Sequence, residues 1–493
     1  MEKVNKSPTL LQAFIPIVCL IFLLTLNVLY FGDDTLSGAN QIALLLSAAV
    51  AGIIAIRLKL KWTYIRAQIV KSIGSAMPAI LILLLIGSLA GTWLLSGVVP
   101  MLIYYGLKVI HPSIFLFAAV VTSGIVSLAT GSSWSTIATI GVALIGIGHA
   151  LGLPTGMVAG AIISGAYFGD KMSPLSDTTN LAPAMAGTDL FTHIRYMMIT
   201  TVPSMSLTLI IFLIIGFTNK FTTNGRDVQE VLDQIHQNFN ITPLLLIVPV
   251  LLIAVIIKKT PPLPALLFGT LLGAVFAIIF QPELIMQIGG PHGYLKSTYI
   301  AVMQSMFGSI SIETGNEVVN GLLKTRGMAG MMDTIWLILA AMVFGGVMDS
   351  AGLLKRISEA IIQKANSTGS LVASTVATSI FFNITASDQY IAIVVPGRMF
   401  AKTYRERGLK PEVLSRTLED GGTVTSVLIP WNTGGATQSR VLGVPTLTYL
   451  PFCFFNIISP LMSILIAYLD YKIRRLDKDS VDRVIKEEER LDF

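Results

Sequence analysis

Long apolar runs separated by short polar segments dominate the chain. Eight of these runs are long enough to cross a bilayer, since a spanning helix needs about 20 predominantly apolar residues. They lie at about residues 8–31, 38–56, 74–99, 192–217, 241–257, 262–281, 329–350 and 446–469. The pattern therefore predicts an all-α protein whose chain crosses a membrane many times.

Two further stretches are apolar but rich in small polar residues. Residues 109–169 contain no Asp, Glu, Lys or Arg, and Gly, Ser and Thr are frequent there; residues 369–400 look similar. Such chain fits the membrane interior where other helices shield it from lipid. Counting both stretches, we expect five full spans in each half of the protein, plus one re-entrant hairpin per half.

Composition supports a membrane protein. Of 493 residues, 53% are hydrophobic and only 13% are charged, whereas soluble chains carry about 25% charged residues. A net charge of +6 could suggest a nucleic-acid partner, but the basic residues lie in short loops between apolar runs, so we expect a lipid bilayer and no nucleic acid. Cys19 and Cys453 both lie in apolar runs and predict neither a disulfide framework nor a cysteine metal site.

The distribution of basic residues predicts the orientation of the spans. The loop after the second span is strongly basic, whereas the loop after the first contains only Asp33 and Asp34. By the positive-inside rule the N-terminus is cytoplasmic. The residues assigned to the cytoplasmic side are Arg57, Lys59, Lys61, Arg66, Lys71, Lys258, Lys259, Lys355, Arg356, Lys364, Lys402, Arg405, Arg407, Lys410 and Arg416.

An internal repeat relates the two halves. A constant offset of 255 residues pairs Gly91 with Gly346, Gly97 with Gly352, Thr130 with Thr385, Ser132 with Ser387, and Thr178 with Thr433. Residues 402–416 carry five basic side chains and their equivalents at 147–161 carry none, so the halves should have opposite orientations. Inverted repeats with interrupted helices are typical of secondary transporters.

The predicted organisation follows from this repeat. Residues 1–220 form the first repeat, residues 221–240 an external linker, residues 241–470 the inverted second repeat, and residues 471–493 a charged cytoplasmic tail. We expect about ten transmembrane helices and two re-entrant hairpins in total.

Polar clusters interrupt the apolar chain at equivalent places in both halves. Residues 130–136 and 169–180 correspond to residues 383–389 and 430–435. Hard cations such as sodium prefer carboxylate, carbonyl and hydroxyl oxygens, and a carboxylate at membrane depth is expected to bind a proton or a cation. Competition between the two ions is a mechanism for exchange. The candidate residues for binding sodium or protons are Asp177, Asp388, Thr178, Asn180, Asn383, Thr385, Ser387, Asn432, Thr433, Ser132, Ser133 and Asp170.

Structural explanations compete with this interpretation. Ser and Thr side chains often bond to the preceding helical turn or pack at helix interfaces, which could account for residues 130–136. Asp170 could be neutralised by the adjacent Lys171 or by another basic residue. Asp333 and Asp349 lie near predicted helix ends, where solvated side chains are common.

The motifs resemble those of the NhaC family of sodium/proton antiporters. The resemblance rests on four segments, GSSWST at 131–136, GDKMSPLSDT at 169–178, TASDQY at 385–390 and PWNT at 430–433. It implies two inverted repeats, each with a re-entrant hairpin and a broken helix around the cation, in a homodimer with an elevator-like movement. Related proteins couple sodium and protons to malate, lactate or amino acids.

The leading hypothesis is sodium/proton antiport in the bacterial cytoplasmic membrane, with Asp388 and Asp177 alternately holding sodium and protons and with no bound cofactor. The alternative is sodium- or proton-coupled transport of a small carboxylate or amino acid. An enzyme is disfavoured because HExxH, GxSxG and Walker A motifs are lacking. A passive channel remains a third possibility.

Overall fold

The structure is a computed structural model, and it describes residues 7–31, 38–109, 111–218, 225–258, 260–314, 320, 323–362 and 366–476. Nearly all of this chain is helical. The helices of the first half are α1 Leu10–Phe31, α2 Ala39–Arg57, α3 Trp62–Leu95, α4 Val98–Val109, α5 Pro112–Thr130, α6 Ser133–Thr136, α7 Val142–Ala150, α8 Thr155–Met172, α9 Asp177–Ala186 and α10 Leu190–Thr218. A π-helix, Ile137–Gly141, joins α6 to α7.

The second half begins after α11, Gly225–Asn238, and a 3-10 turn at Pro243–Leu246. Two short antiparallel strands, β1 Ile310–Ser311 and β2 Lys324–Thr325, lie between the helix that ends at Phe307 and the helix that begins at Met332. The remaining helices are α12 Ile247–Ile257, α13 Pro262–Phe280, α14 Pro282–Gly289, α15 Tyr294–Phe307, α16 Met332–Ser350, α17 Leu353–Ile362, α18 Thr368–Thr385, α19 Ile391–Glu406, α20 Pro411–Leu418, α21 Thr433–Leu442, α22 Thr446–Tyr449 and α23 Phe454–Tyr468. A π-helix, Glu419–Thr423, and a 3-10 turn, Ser426–Leu428, follow α20.

The described chain contains enough apolar helix for a multi-pass membrane protein. Eight helices are long and apolar enough to cross a bilayer, and the number rises to ten if each of two bent helix pairs is one span. One predicted boundary is wrong. The run at 74–99 is part of a longer helix, α3, which ends at Leu95 because Gly97 adopts a left-handed turn (φ 79°) before α4 begins.

Helix boundaries recur with the same 255-residue spacing as the sequence repeat. Helices α3 and α16 end at Leu95 and Ser350, and α5 and α18 end at Thr130 and Thr385. The short turns after α3 and α16 both contain a left-handed glycine, Gly97 and Gly352. These helix ends and turns therefore recur at the spacing of the sequence repeat.

Each half contains a helical hairpin and an interrupted helix. In the first hairpin (residues 112–150), a Cβ at Gly148 in α7 would lie 3.1 Å from the ring of Phe115 in α5, so the two ends of the segment meet. In the second hairpin (residues 368–406), the hydroxyl groups of Thr375 and Tyr404 are 3.0 Å apart. The first break (residues 173–176) separates α8 from α9, and the second break (residues 429–432) precedes α21.

Close packing of small residues holds the first half together. Helix α8 lies along α5, and a Cβ on Gly165 or Gly169 would overlap the carbonyl oxygen of Val120 or Gly124. Membrane helices commonly use small residues in this way, since close backbone contact replaces the hydrophobic effect as the force between helices.

Arg416 does not lie in a cytoplasmic loop, as the charge pattern predicted. It is fully buried in α20, with its guanidinium 4.7 Å from the centre of the Tyr196 ring. The prediction was wrong because Pro411 begins a helix directly after Lys410, which carries Arg416 more than one turn into the bundle.

The predicted linker and the predicted tail are both described in part. The predicted linker contains helix α11, and the first residues of the predicted tail contact the start of α20, with Lys410 N donating to the Arg474 carbonyl over 3.0 Å. Residues Asp33, Asp34, Lys259, Lys364, 221–224 and 477–493 lie outside the described residues.

Candidate functional site

Asp388 lies at the tip of the second hairpin and is 1% exposed. Its Oδ1 accepts hydrogen bonds from the backbone N–H groups of Tyr390 at 2.9 Å and Ile391 at 3.0 Å, at the start of α19. Ser387, immediately before it, adopts a left-handed conformation (φ 57°), and its carbonyl accepts from the Thr433 N–H over 2.9 Å. The hairpin tip is thereby joined to the second break, with the Thr433 side chain close to the Asp388 carboxylate.

Two asparagines form the centre of this junction. The Asn432 side-chain amide donates to both the backbone carbonyl and the side-chain oxygen of Asn383, each over 3.0 Å. Asn383 in turn donates to the Gly422 carbonyl (2.6 Å) and to Thr425 Oγ1 (3.0 Å). Asn432 also caps α21, because its Oδ1 accepts from Gly434 N over 2.9 Å. Buried polar groups are therefore matched to one another, and the hydrogen bond from Thr433 N–H to the Ser387 carbonyl joins them to the Asp388 tip.

The Thr385 side chain, which was predicted to bind a cation, makes a hydrogen bond within its own helix. Its hydroxyl donates to the Phe381 carbonyl over 2.7 Å, one turn back along α18. This is the local bond that Thr commonly makes in buried helices, so its proton is occupied within its own helix. Ser387 Oγ, by contrast, is buried and has no hydrogen-bond partner among the described residues.

The first half gathers a different set of groups. Ser133 donates to Asp170 Oδ2 from both its N–H (3.1 Å) and its hydroxyl (2.6 Å), at the start of α6. Ser132 caps the same helix by accepting from Ser135 N over 3.2 Å. Gly131 allows this arrangement, because it is left-handed (φ 70°) and a Cβ there would overlap Leu175 in the first break.

The first turn of α9 is split between buried and exposed side chains. Thr178 is buried with its hydroxyl 3.2 Å from Ser176 Oγ, whereas Asp177 and Asn180 are exposed. The expectation that Asp177 is a buried carboxylate is therefore wrong. The reason is helical geometry, since residues 177 and 180 lie on one face of α9 and that face is exposed, whereas Thr178 and Thr179 are buried. Asn180 donates to the Ser176 carbonyl over 2.7 Å and closes the turn.

The predicted acids nevertheless lie in one region of the molecule. Tyr390 lies within electrostatic range of Asp170, Asp177 and Asp388. The backbone carbonyl at position 128 accepts from Ser173 Oγ over 2.8 Å, and the carbonyl 255 residues later, at Asn383, accepts from Asn432. The equivalent carbonyl thus accepts a side-chain donor from the break in both halves, although the two donors do not occupy equivalent positions.

A buried charged cluster next to Asp170 was missed. Lys171 forms an ion pair with Asp420, with both side chains fully buried. Ser459 donates to Asp420 Oδ1 over 2.5 Å and Thr200 donates to Oδ2 over 3.1 Å. Glu419 lies beside them, fully buried. The sequence contained a signal for this cluster. Glu419 and Asp420 are both acidic, whereas the equivalent stretch 255 residues earlier, at 164–168, contains no charged residue.

The structure decides the role of Lys171. Asp170 is held by Ser133, and Lys171 pairs with Asp420, 249 residues away, so the two neighbours do not neutralise each other. The alternative that Asp170 is one half of a structural pair with Lys171 is contradicted.

A cavity of about 820 Å³ lies between α3 and α4 on one side and α7 and α21 on the other. Its charged lining residues are Lys324, Arg326, Asp333 and Arg440, with Arg440 and Asp333 3.6 Å apart. Ala436 also lines the cavity and lies one helical turn from Thr433. The cavity thus approaches the second break from the end of the molecule where α16 begins.

The many membrane helices, the polar helix breaks and the buried acids define a membrane transport protein. Residues 165–470 match the model of the Na+/H+ antiporter family. The chain is 38% identical to the Na+/H+ antiporter NhaC of Alkalihalophilus pseudofirmus over 87% of this chain and 90% of that protein. The chain belongs to the Na+/H+ antiporter family.

Two other relatives are named for different transport activities. The malate-2H+/Na+-lactate antiporter of Bacillus subtilis is 38% identical over 94% of this chain and 95% of that protein. The arginine/ornithine antiporter ArcD of Halobacterium salinarum is 32% identical over 96% of this chain and 95% of that protein. These relatives are transporters rather than enzymes, and this chain is a multi-pass transport protein of the bacterial cytoplasmic membrane.

Proposed function

We propose that this antiporter exchanges sodium ions for protons by alternating access, with Asp388 as the central carboxylate of the sodium site. The observation that carries the proposal is the burial of Asp388 at a hairpin tip that is joined to the second break. A buried carboxylate without a basic partner must be compensated by a cation or a proton, since the cost of an uncompensated charge is high.

The proposed sodium ligands are oxygens that already surround Asp388. They are the side-chain or carbonyl oxygens of Asn383, Thr385, Ser387, Asn432 and Thr433. Sodium is a hard cation and suits this all-oxygen set. In the first half, Ser132, Ser133 and Asp170 form the corresponding hairpin tip, and the exposed Asp177, with Thr178 and Asn180, lies where a cation would first arrive from water.

Alternating access is supported by the repeated architecture. Helix ends recur 255 residues apart, and the loop charges of the two halves differ in the way that opposite orientation requires. We infer two inverted repeats of five spans each, residues 1–220 and 241–470, in which the hairpins enter from opposite sides. An elevator-like movement in a homodimer, implied by the family resemblance, completes the proposal.

The deciding experiment uses purified protein in liposomes. A sodium gradient is imposed and internal pH is followed with a dye, first without any organic solute. Proton movement driven by sodium alone supports antiport. Movement that occurs only after a carboxylate or an amino acid is added contradicts bare sodium/proton exchange, and a sodium current without saturation or proton exchange indicates a channel.

A second candidate function, exchange coupled to a small organic anion, is favoured by the cavity. Lys324, Arg326 and Arg440 bring three positive charges to its lining against the single carboxylate of Asp333, and Arg326 lies within electrostatic range of Arg440. Guanidinium groups bind carboxylates well because two N–H groups can donate in parallel. The names of the malate/lactate and arginine/ornithine relatives are consistent with an organic substrate.

The cavity can be tested separately. Arg440→Gln should abolish any stimulation of proton movement by added malate or lactate while leaving sodium-driven exchange in place. Lys355→Gln, at an exposed position on α17, is the control. Unchanged stimulation in Arg440→Gln would contradict a carboxylate site in the cavity.

A further inference from the structure

Glu419 is a buried carboxylic acid that the sodium site does not use. It is fully buried at the start of the π-helix Glu419–Thr423. Neither carboxyl oxygen accepts a hydrogen bond from any residue that the structure describes, and the nearby Thr423 hydroxyl lacks hydrogen-bond geometry. A buried carboxylate with no donor is strongly disfavoured, whereas a carboxylic acid in the same place is much less costly.

The neighbouring charges also favour the neutral, protonated form of Glu419. The charged groups that act most strongly on Glu419 are Asp170 and Lys171 of α8 and Asp420 beside it. Lys171 is committed to Asp420, and Asp170 is held by two donors from Ser133. With every acid ionised, three buried carboxylates would share Lys171, since the buried guanidinium of Arg416 lies against the Tyr196 ring. Glu419 is the acid that has neither a cation nor a donor, so it is the member of the cluster that a proton would neutralise.

The π-helix connects Glu419 to the proposed sodium site. The carbonyl of Gly422, three residues further on, accepts from Asn383 over 2.6 Å, and Thr425 Oγ1 accepts from the same amide. The π-helix packs against α18 and α19, the two arms of the second hairpin. A π-helix in a membrane segment is uncommon and is frequently found at functional sites. A change at Asn383 therefore reaches Glu419 through one short, contiguous element.

We propose that Glu419 carries the transported proton, which leaves Asp388 to the sodium ion. The proposal rests on the exchange activity inferred above. In the sodium-free protein the Glu419 carboxyl holds one proton. When the opposite side becomes accessible, its O–H bond breaks and the proton passes to water as a sodium ion binds near Asp388. One positive charge thus replaces another, and the net charge of the buried region is unchanged.

The test separates proton movement from sodium movement in the same liposomes. Glu419→Gln keeps the shape of the side chain but cannot release a proton. We expect it to lose sodium-driven proton movement to the level of protein-free liposomes while retaining exchange of radioactive sodium for unlabelled sodium. Glu412→Gln is the matched control: Glu412 is also buried and lies on the preceding helix, but it pairs with Arg474 at 3.1 Å, so proton coupling should persist.

Three outcomes would overturn the assignment. Wild-type proton coupling in Glu419→Gln removes Glu419 from the proton path. Loss of both movements in a monodisperse Glu419→Gln protein indicates a role in sodium binding instead. Absence of sodium-driven proton movement in the wild-type protein contradicts the proposed exchange, and the proton assignment fails with it.

A second variant covers the case in which Glu419→Gln does not fold. Glu419→Asp retains a titratable group but changes its distance from the Lys171–Asp420 pair. A shifted pH dependence of proton movement in this variant, with unchanged sodium exchange, supports the proposal. An unshifted pH dependence contradicts it.

Discussion

The two hairpin–break junctions occupy equivalent places in the repeat but bury their acids differently. In the second half Asp388 is enclosed, and Asn383 and Asn432 bond directly to each other. In the first half Asp170 is enclosed by Ser133 donors, while Asp177 is exposed on the first turn of α9. Equivalent backbone positions thus carry different chemistry, with a buried oxygen cluster in one half and an acid open to water in the other.

This difference suggests a division of roles. An enclosed carboxylate can exchange ions only when the surrounding helices move, whereas an exposed one is open to water and binds cations weakly. We therefore propose that the second half occludes the ion and that the first half gives it access. Four predictions test it.

The largest effect is expected for Asp388→Asn. The change removes the buried charge at nearly constant volume, so sodium/proton exchange in liposomes should fall to background while the protein stays monodisperse. Asp349→Asn, at an exposed position near the end of α16, is the control and should retain activity. Wild-type exchange in Asp388→Asn would remove this residue from coupling.

Lys171→Met tests the ion pair that joins the two halves. It leaves Asp420 buried without its cation, and breaking a buried pair in this way typically costs about 3–5 kcal/mol of stability. Thermal unfolding in detergent should show a large drop in melting temperature. The exposed pair between Lys355 and Glu359 is the comparison, since removal of Lys355 should change stability by less than about 1 kcal/mol. Equal effects from both changes would contradict a structural role for the buried pair.

Ser133→Ala tests how firmly the first hairpin tip is held. It removes the hydroxyl donor to Asp170 but keeps the backbone donor, so the expected loss of stability is about 1.5–3 kcal/mol, the usual range for a hydrogen bond to a charged group. The measurement is again thermal unfolding. Ser75→Ala, on an exposed turn of α3, should leave the melting temperature unchanged. A neutral result for Ser133→Ala would show that the backbone N–H alone is enough.

Asp177→Asn should have the smallest effect. Because Asp177 is exposed, its removal should weaken sodium capture by about 1 kcal/mol or less, which corresponds to a roughly fivefold rise in the sodium concentration for half-maximal exchange. The maximal rate should be little changed. Complete loss of exchange would mean that Asp177 becomes buried during transport and would break the proposed division of roles.

Much of the fold was predictable because local patterns determine membrane helices. Apolar runs of spanning length became helices, and the 255-residue offset reappears in the helix ends at Thr130 and Thr385. The hairpin tips and breaks were also predictable, since Ser132, Ser176 and Asn432 cap the helices that follow them.

The pattern of polar and apolar residues could not predict which charged side chains are buried. Asp177 and Asp388 lie in equally polar motifs, yet only Asp388 is enclosed, because enclosure depends on which helix face another element covers. Arg416 was misplaced for the same reason: loop charge and buried charge look alike until packing is known.

The sequence by itself determined the class of protein and most of the apolar helices, because these depend on hydropathy and on residues close together in the chain. Only the tertiary structure decided that Lys171 pairs with Asp420 and that Glu419 is left without a partner. These are relations between side chains about 250 residues apart, and a membrane interior makes them costly to leave unsatisfied.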